Sequence, residues 1–552
     1  MSLKPKTIEP VPEETARITQ AAFPKGNTMM KMRDELGVFF DDEQFAHLFS
    51  SQGQPALAPW RLALVTVMQY VENLTDRQAA DAVRGHIDWK YALGLELSDP
   101  GFNFSVLSEF RSRLLDGTSE KLLLNEMLNQ FKEMGLLKAK GQQRTDATHV
   151  FAAIRTLNRL ELVAETMIHT LNVLATVVPD WLKSWVPDEW FTRYEKRLDD
   201  YRLPQDKKQR TVFAEVIGVD GHYLFSMVYS QSSPEWLRDV PAVMTMREIW
   251  VQQYYVEDGN VRWRIKGNLP SSAKMISSPH DTDARYSSKK NTTSWVGYKI
   301  HLTETCDTER PNLITDVQTT VATDQENSVT PKIHKELKER EILPKEHLGD
   351  TAYGSTDLIF DSQKEYGIEL ICPMRPDNSW QSLTEGAYDI SFFSIDWEKQ
   401  QVTCPEGKTN RYWQEGERGG SPKILVRFHP DDCQPCPSRS KCTRSKGARG
   451  RPGSRELTFS PQKEYETLQR LRQFQKTEAF KERYSKRAGI EGTISHAAYT
   501  LGARRCRYRG IEKAHLQHVL TACAINLTRV VDWLSAKKRA QTRKSAFLAL
   551  AA

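Results

Sequence analysis

Tyr484, Arg487 and Glu491 stand at i, i+3 and i+7, a spacing that on an α-helix lines a tyrosine, a cation and a carboxylate along one face. Such a face can meet one ligand with all three side chains. Gly489 and Gly492 flank the acid. Each costs a helix about 1 kcal/mol relative to alanine, so the expectation is that something bulky, such as a nucleic-acid strand, approaches the backbone there. His496 follows, and then Arg504, Arg505, Arg507 and Arg509 interleave with Cys506 and Tyr508, a cation density that suits phosphate. Two more acids sit in strand-like surroundings, Asp146 near the start of RTDATHVFAAI and Asp350 at the end of EHLGD. A lone acid at such a place is ordinarily a turn or cap residue. Cys404, Cys433, Cys436 and Cys442 supply one C-x2-C pair and two single thiols, a reasonable tetrathiolate zinc set, with buried or free thiols as the alternative.

The surrounding chain divides into segments of different pattern. Residues 1–40 form a polar leader. Residues 41–137 are helical: Trp60, Leu64, Val67, Met68 and Val71 recur at three- and four-residue steps, and Thr75 with Gln78 predicts a capping box. Residues 138–157 hold the β-like run with Asp146, and 158–275 are rich in Leu, Trp and charge at helical spacing, an insertion with little strand signal. In 276–379, strands are predicted at 295–305 and over LITDVQTTVAT, a helix at 331–340, the strand ending in Asp350, a helix at 355–366 and a strand at 369–372. The cysteine block spans 380–475, the segment with Glu491 spans 476–534, and 535–552 is a basic tail.

The totals fit this division. At 552 residues the chain is too long for one core, and 39% hydrophobic with 27% charged residues describes an ordinary globular protein. The net charge of +6 is unevenly spread. From Lys481 to Lys544 there are 15 Lys and Arg against four Asp and Glu, so this segment is +11, and from Arg439 to Arg455 there are seven basic residues and no acid. That asymmetry points to an anionic polymer. The N-terminus lacks the apolar core of a signal peptide, and every apolar run is interrupted short of the ~18 residues a membrane span needs, which predicts a cytoplasmic protein with reduced thiols.

The spacing Tyr484-x2-Arg487-x3-Glu491 resembles the Y-x2-R-x3-E signature of DDE transposases from bacterial insertion sequences. The signature usually continues to a lysine where this chain has Ala498, so that DNA-contacting cation is absent and His496, Arg504 or Arg505 is the candidate substitute. The phrases QGQPALAPWRLALVTVMQYVENLTDRQAADAVRGHIDWKYALGLEL and FSVLSEFRSRL resemble the InsH-like N-terminal domain of such transposases. RTDATHV and G-D-x-A-Y are similar to their catalytic strands, and Asp281, Asp283 and Arg285 belong to a D-x-D-A-R phrase familiar from the same group, with turn chemistry as the equal alternative. Over 41–534 the chain is similar to insertion-sequence family eleven-eighty-two.

The resemblance implies a mixed α+β fold: an RNase H-like core with helical and cysteine-containing insertions, preceded by an all-α domain that binds DNA ends or, alternatively, only dimerises or packs. It implies Asp146, Asp350 and Glu491 as the catalytic triad holding two Mg²⁺ or Mn²⁺ ions, because oxygen-only donors select hard cations. DNA contacts would come from Tyr484, Arg487, His496, Arg504, Arg505, Arg507 and Arg509. The implied reaction is cleavage at terminal inverted repeats and joining of 3′ ends to target DNA, within a homodimeric synaptic complex at the bacterial nucleoid. A nuclease of the same fold that does not join, and an inactive domesticated DNA-binding protein, are the alternatives.

Overall fold

Strand β1 (Gln142–Phe151) carries Asp146 and is the centre of the first of two compact units, Met1–Pro344 with Gly489–Ala552; the second is Lys345–Ala488. The computed structural model describes residues 2–198, 203–289, 293–447, 453–537 and 546–550, so most of the basic tail lies outside the described residues. The first unit also holds β2 (Tyr254–Glu257), β3 (Asn260–Trp263), β4 (Arg285–Lys289), β5 (Thr293–Thr305) and β6 (Ile314–Val321). β5 pairs antiparallel with β1 on one side, and on the other with β6 along Tyr298 to Glu304 and with β4 along Thr293 to Gly297. Gly297 has φ +152, and a Cβ there would lie 2.2 Å from the Val150 carbonyl oxygen, so only glycine fits where β5 changes partner.

Alternation along β1 puts Arg144, Asp146 and Thr148 on one face and Gln143, Thr145 and His149 on the other. The first face is covered by the helix Ile511–Leu534: Asn526 bonds both the N–H (2.7 Å) and the carbonyl (2.8 Å) of Ile314, and His518 bonds Thr319 (2.7 Å). The second face is closed by the helix Thr330–Glu339, after which Arg340 pairs with buried Asp316 at 2.9 Å. The Ile511–Leu534 helix is apolar nearly all round because its opposite side packs on the helix Pro59–Val71. Its start is held by the D-x-D phrase, Asp281 accepting from Gly510 N–H and Asp283 from Ile511 N–H, each at 3.2 Å. These acids are turn and cap residues.

The N-terminal expectation needs correction. Residues 13–36 are not a leader: Thr15 and Thr19 of the helix Glu13–Ala22 bond the carbonyls of Leu95 (2.8 Å) and Ile87 (3.2 Å), and Met29, Met32 and Leu36 are buried. Nor is 41–137 a separate domain, because one continuous core joins Trp60, Leu64 and Met68 to Ile300 and Leu302 of β5 and to Leu520. The segment reads as polar because its buried positions, from Thr15 and Thr19 to Met29, Met32, Leu36 and Phe40, are spread among charged residues. The predicted capping box at Thr75 and Gln78 forms.

The insertion has its own core, built by the helices Arg159–Val177, Lys207–Val228 and Pro241–Gln253 and including Met167, Ile217, Leu224 and Trp250. It also contains the β2–β3 hairpin, turned at Asp258 (φ +48) and Gly259 (φ +76), a two-residue turn signal that helical spacing overshadowed. The Arg159–Val177 helix is, contrary to expectation, long and apolar enough to cross a membrane by length and composition; half of it is buried in this core. The second unit begins with parallel β7 (Glu346–Leu348) and β8 (Glu369–Ile371), and continues with β9 (Ser394–Asp396) paired to β10 (Gln401–Thr403) and the antiparallel sheet β11 (Asn410–Arg418), β12 (Ser421–Phe428) and β13 (Glu456–Phe459). Helices Gln462–Phe474 and Glu478–Ser485 follow.

Burial sets an acid limit on the first unit. Desolvation lowers the pKa of His301 and His518 to about 3 and of His334 and His515 to about 4. The unfolded chain binds protons at these positions below pH ~6.5 while the folded chain does not, so their contribution is intact above that pH and is lost as pH falls towards about 4. Each group should remove up to about 1.4 kcal/mol per pH unit in that window. Thermal unfolding followed from pH 7.5 to 5 should show a steep fall in Tm, and His301→Asn should reduce proton uptake on unfolding by about one; an unchanged uptake would refute the assignment.

Candidate active site

Glu304 of β5 is fully buried and gathers four elements of the first unit. Arg144 of β1, its cross-strand neighbour, donates to it from Nη2 (2.6 Å) and Nε (2.8 Å). Arg529 of the Ile511–Leu534 helix donates from Nη1 (2.7 Å), and Thr493 of the helix Ile490–Ser495 donates its hydroxyl (2.6 Å). Arg529 also reaches the Asn312 carbonyl (2.7 Å) and the Thr493 hydroxyl. The helix that opens with exposed Glu491 is thereby fastened to the β1 face that carries Asp146. Asp146 Oδ1 accepts from the Ala147 N–H at 2.8 Å.

The same face receives the chain beyond that helix. Arg504 Nε donates to Thr148 Oγ1 (3.1 Å), two residues from Asp146, and its Nη1 donates to the Tyr499 hydroxyl (2.9 Å), with the guanidinium over the exposed Tyr499 ring. Ala498, at the missing lysine's position, is buried. His496 is held neutral more firmly than an ordinary histidine, by burial first and the Arg529 charge second. Arg507 is occupied internally: it donates to the Leu74 carbonyl and Asn73 Oδ1, each at 2.6 Å, and lies 4.6 Å from the Tyr70 ring centroid. Its geometry is that of a clamp between chain segments.

The expected single helical face does not form. The helix Glu478–Ser485 passes through a 3₁₀ turn, Lys486–Gly489, into Ile490–Ser495, and that helix into a π turn. At Gly489 a Cβ would lie 2.2 Å from Arg144 Nη1, so the glycine lets that guanidinium approach the backbone. The bulky group is thus a side chain of this protein; at Gly492 nothing lies within 4 Å. Sequence reasoning missed Glu304, Arg529, Thr493 and Thr148. The available signal was an acid inside the strand WVGYKIHLTET, which burial would require to be paired.

In the second unit, Asp350 follows β7 and its Oδ1 accepts from Ala352 N–H (2.8 Å). Gly349 bonds the Ile371 carbonyl (3.1 Å), and added Cβ atoms at Gly349 and Gly354 would lie 3.0 Å from Cys372 Sγ and 2.6 Å from Cys372 Cβ. The glycines of G-D-x-A-Y-G therefore let the Asp350 turn close over Cys372. Burial pushes the Cys372 thiol up to about 12; the Asp350 charge raises it and Arg487 opposes, so both groups lie near this sulfur. Tyr484 stacks on Phe480, centroids 5.4 Å apart and planes 14° apart.

The four cysteines converge on one cavity of about 240 Å³. Cys404 Sγ accepts from the Lys408 N–H (3.3 Å), Cys404 N–H donates to the Lys408 carbonyl (2.8 Å), and burial pushes Cys442 up to about 11. The surrounding module has an apolar core of its own, including Val402, Val426, Phe428 and Phe459. Among the described residues, no three His, Cys, Asp or Glu side chains already form a metal cage. Asp146 and Glu491 belong to one unit and Asp350 to the other. Their donor chemistry suits a hard cation, and the thiols suit zinc.

Loss of the Glu304 charge should loosen this arrangement. Glu304→Gln leaves two guanidiniums facing a neutral amide and should cost roughly 3 kcal/mol, whereas Thr493→Ala should cost about 1 kcal/mol. Chemical denaturation compares them; similar small losses would show that the carboxylate is not what secures the helix.

Residues 403–531, which include Glu491, the four cysteines and the arginine run, match the family model described as the transposase DDE domain. Residues 18–113 match a second model, a transposase domain of otherwise unassigned function; the match begins inside the segment expected to be a leader and agrees with its place in the core. No curated protein matches the chain. With a transposase domain matched over its N-terminal helices and a transposase DDE domain matched around Glu491, the chain is similar to the DDE transposases of insertion sequences.

Proposed function

We propose that the protein binds the terminal inverted repeats of its element, cleaves the DNA there and joins the 3′ ends to target DNA, with Asp146, Asp350 and Glu491 as the catalytic carboxylates. The observation that carries this reading is the fastening of the Glu491 helix and of Arg504 to the β1 face of Asp146, in a chain with a DDE domain. The three carboxylates would hold Mg²⁺ or Mn²⁺ ions, which when bound would activate the attacking hydroxyl and stabilise the leaving oxygen. Arg504 takes the part of the absent lysine and binds a strand phosphate through its guanidinium fork. Arg487 binds a second phosphate near Asp350, and Tyr484 orients the backbone beside it. End recognition belongs to the N-terminal helices, and two copies synapse the two ends in the bacterial cytoplasm.

Glu491→Gln keeps the side chain's size but removes its charge, so cleavage and joining should fall on the order of a thousandfold or more while DNA binding is nearly unchanged. Asp146→Asn and Asp350→Asn should do the same, and pairs of these changes should add little. Near-normal cleavage by Glu491→Gln in Mg²⁺ would overturn the triad; cleavage without joining by the natural chain would favour a nuclease.

The thiol cavity is proposed to close on one structural zinc ion through Cys404, Cys433, Cys436 and Cys442. The reading is supported by the convergence of four sulfurs and by the N–H donated to Cys404. Elemental analysis should find about one zinc per chain, lost in Cys436→Ser. Equal zinc content in the two proteins would leave the thiols as packing groups.

A further inference from the structure

At the far end of β1 from Arg144, the first unit holds a cavity of about 560 Å³ bordered by two of the expected DNA-contacting residues, Arg505 and Arg509. Its wall begins where the arginine run joins the strand: Phe151 N–H donates to the Arg504 carbonyl (2.8 Å) and Cys506 N–H to the Phe151 carbonyl (2.9 Å), which sets Arg505 alongside Phe151. Arg509 lines the same space, and the insertion side adds Arg155 and Arg197. Arg155 shares its charge with Glu161, 3.3 Å away. Among the described residues the carboxylate in the lining is Glu165, which His280 meets at 2.9 Å, and His280 stacks edgewise on His169, centroids 4.8 Å apart. Arg509 is close enough for its charge to be felt at His169.

Among the described residues the lining sets four arginines from two separate segments against one hydrogen-bonded carboxylate, and planar guanidiniums match the oxygens of a phosphate. The remaining lining is apolar, with Ala152, Ala153, Ile154 and Leu157. A volume in the range of small-ligand sites is too small for a duplex but admits a single nucleotide. Phe151 lies five residues beyond Asp146 and on the opposite face of the strand, roughly 16 Å along it, so the cavity lies within a few nucleotides' length of Asp146. We infer that this cavity binds one phosphate group of a DNA strand, with its sugar and base against the apolar wall. The inference rests on the transposase reading for the identity of the strand, and on the cavity alone for the anion.

The test uses the full-length protein in EDTA, so that no cleavage occurs, and follows fluorescence anisotropy of a labelled single-stranded oligonucleotide across a salt series. The double variant Arg197→Gln/Arg509→Gln should weaken binding several-fold and lower the slope of log K against log salt by about 0.7 for each phosphate that is no longer neutralised. Ala153→Trp, which fills the cavity without changing charge, should also weaken binding several-fold. Circular dichroism melts confirm that the variants fold. Inorganic phosphate should compete no better than chloride at matched ionic strength. Unchanged affinity and slope in both variants would overturn the inference, and strong competition by inorganic phosphate would make the cavity a site for the free anion instead. If the variants bind like the natural protein while Glu491→Gln has lost cleavage, the cavity assignment alone falls; if they lose binding while Glu491→Gln cleaves normally, the triad alone falls.

Discussion

A single buried carboxylate, Glu304, holds together the candidate site of the first unit. Buried charge is tolerated only when it is paired and fully hydrogen-bonded, and Glu304 meets that requirement with partners from β1, from the Ile490–Ser495 helix and from the Ile511–Leu534 helix. Each partner is thereby fixed relative to the others. Asp146 is two residues from Arg144 on the same face, and Glu491 is two residues from Thr493, so the ion-pair network sets the relation between two groups that do not themselves belong to it. The steric consequence is seen at Gly489, where the Arg144 guanidinium occupies the space a side chain would need.

The arginine run shows how one charge density divides into unlike tasks. Arg507 is turned inward onto Leu74, Asn73 and Tyr70, where it ties the N-terminal helices to the end of the chain. Arg504 is held against Thr148 on the Asp146 face, and Arg505 and Arg509 border a cavity. The bridge of Arg505 with Phe151 separates Arg504 from Arg505, because successive side chains along it point in opposite directions. The inward arginine also explains why the helices around Pro59–Val71 share a core with the sheet: the Ile511–Leu534 helix is covered on both sides and is apolar to match.

The second unit joins two structures of different origin in their stability. Around Asp350, small residues let a turn close on a buried thiol. In the cysteine block, an antiparallel sheet with its own aromatic and aliphatic core brings four sulfurs from separate turns to one cavity. Because that core exists, the module does not depend on metal for all of its burial, in contrast to small zinc domains that lack one.

Residue type and spacing were enough to specify the chemical inventory and the local elements. The Thr75 capping box was legible, as were the strands of 293–321 and the helix and strands around Asp350, because such signals act over a few residues. The transposase resemblance was legible for the same reason, since its motifs are local. Which side of each group faces inward was settled by long-range packing. The partner of Arg507 lies 433 residues away and that of Arg144 lies 160 away, distances over which spacing carries no geometric information. Thus the D-x-D acids became helix caps, a leader became part of the core, and a helix expected to be regular passes through a 3₁₀ turn that ends at Gly489, beside an arginine from a distant strand.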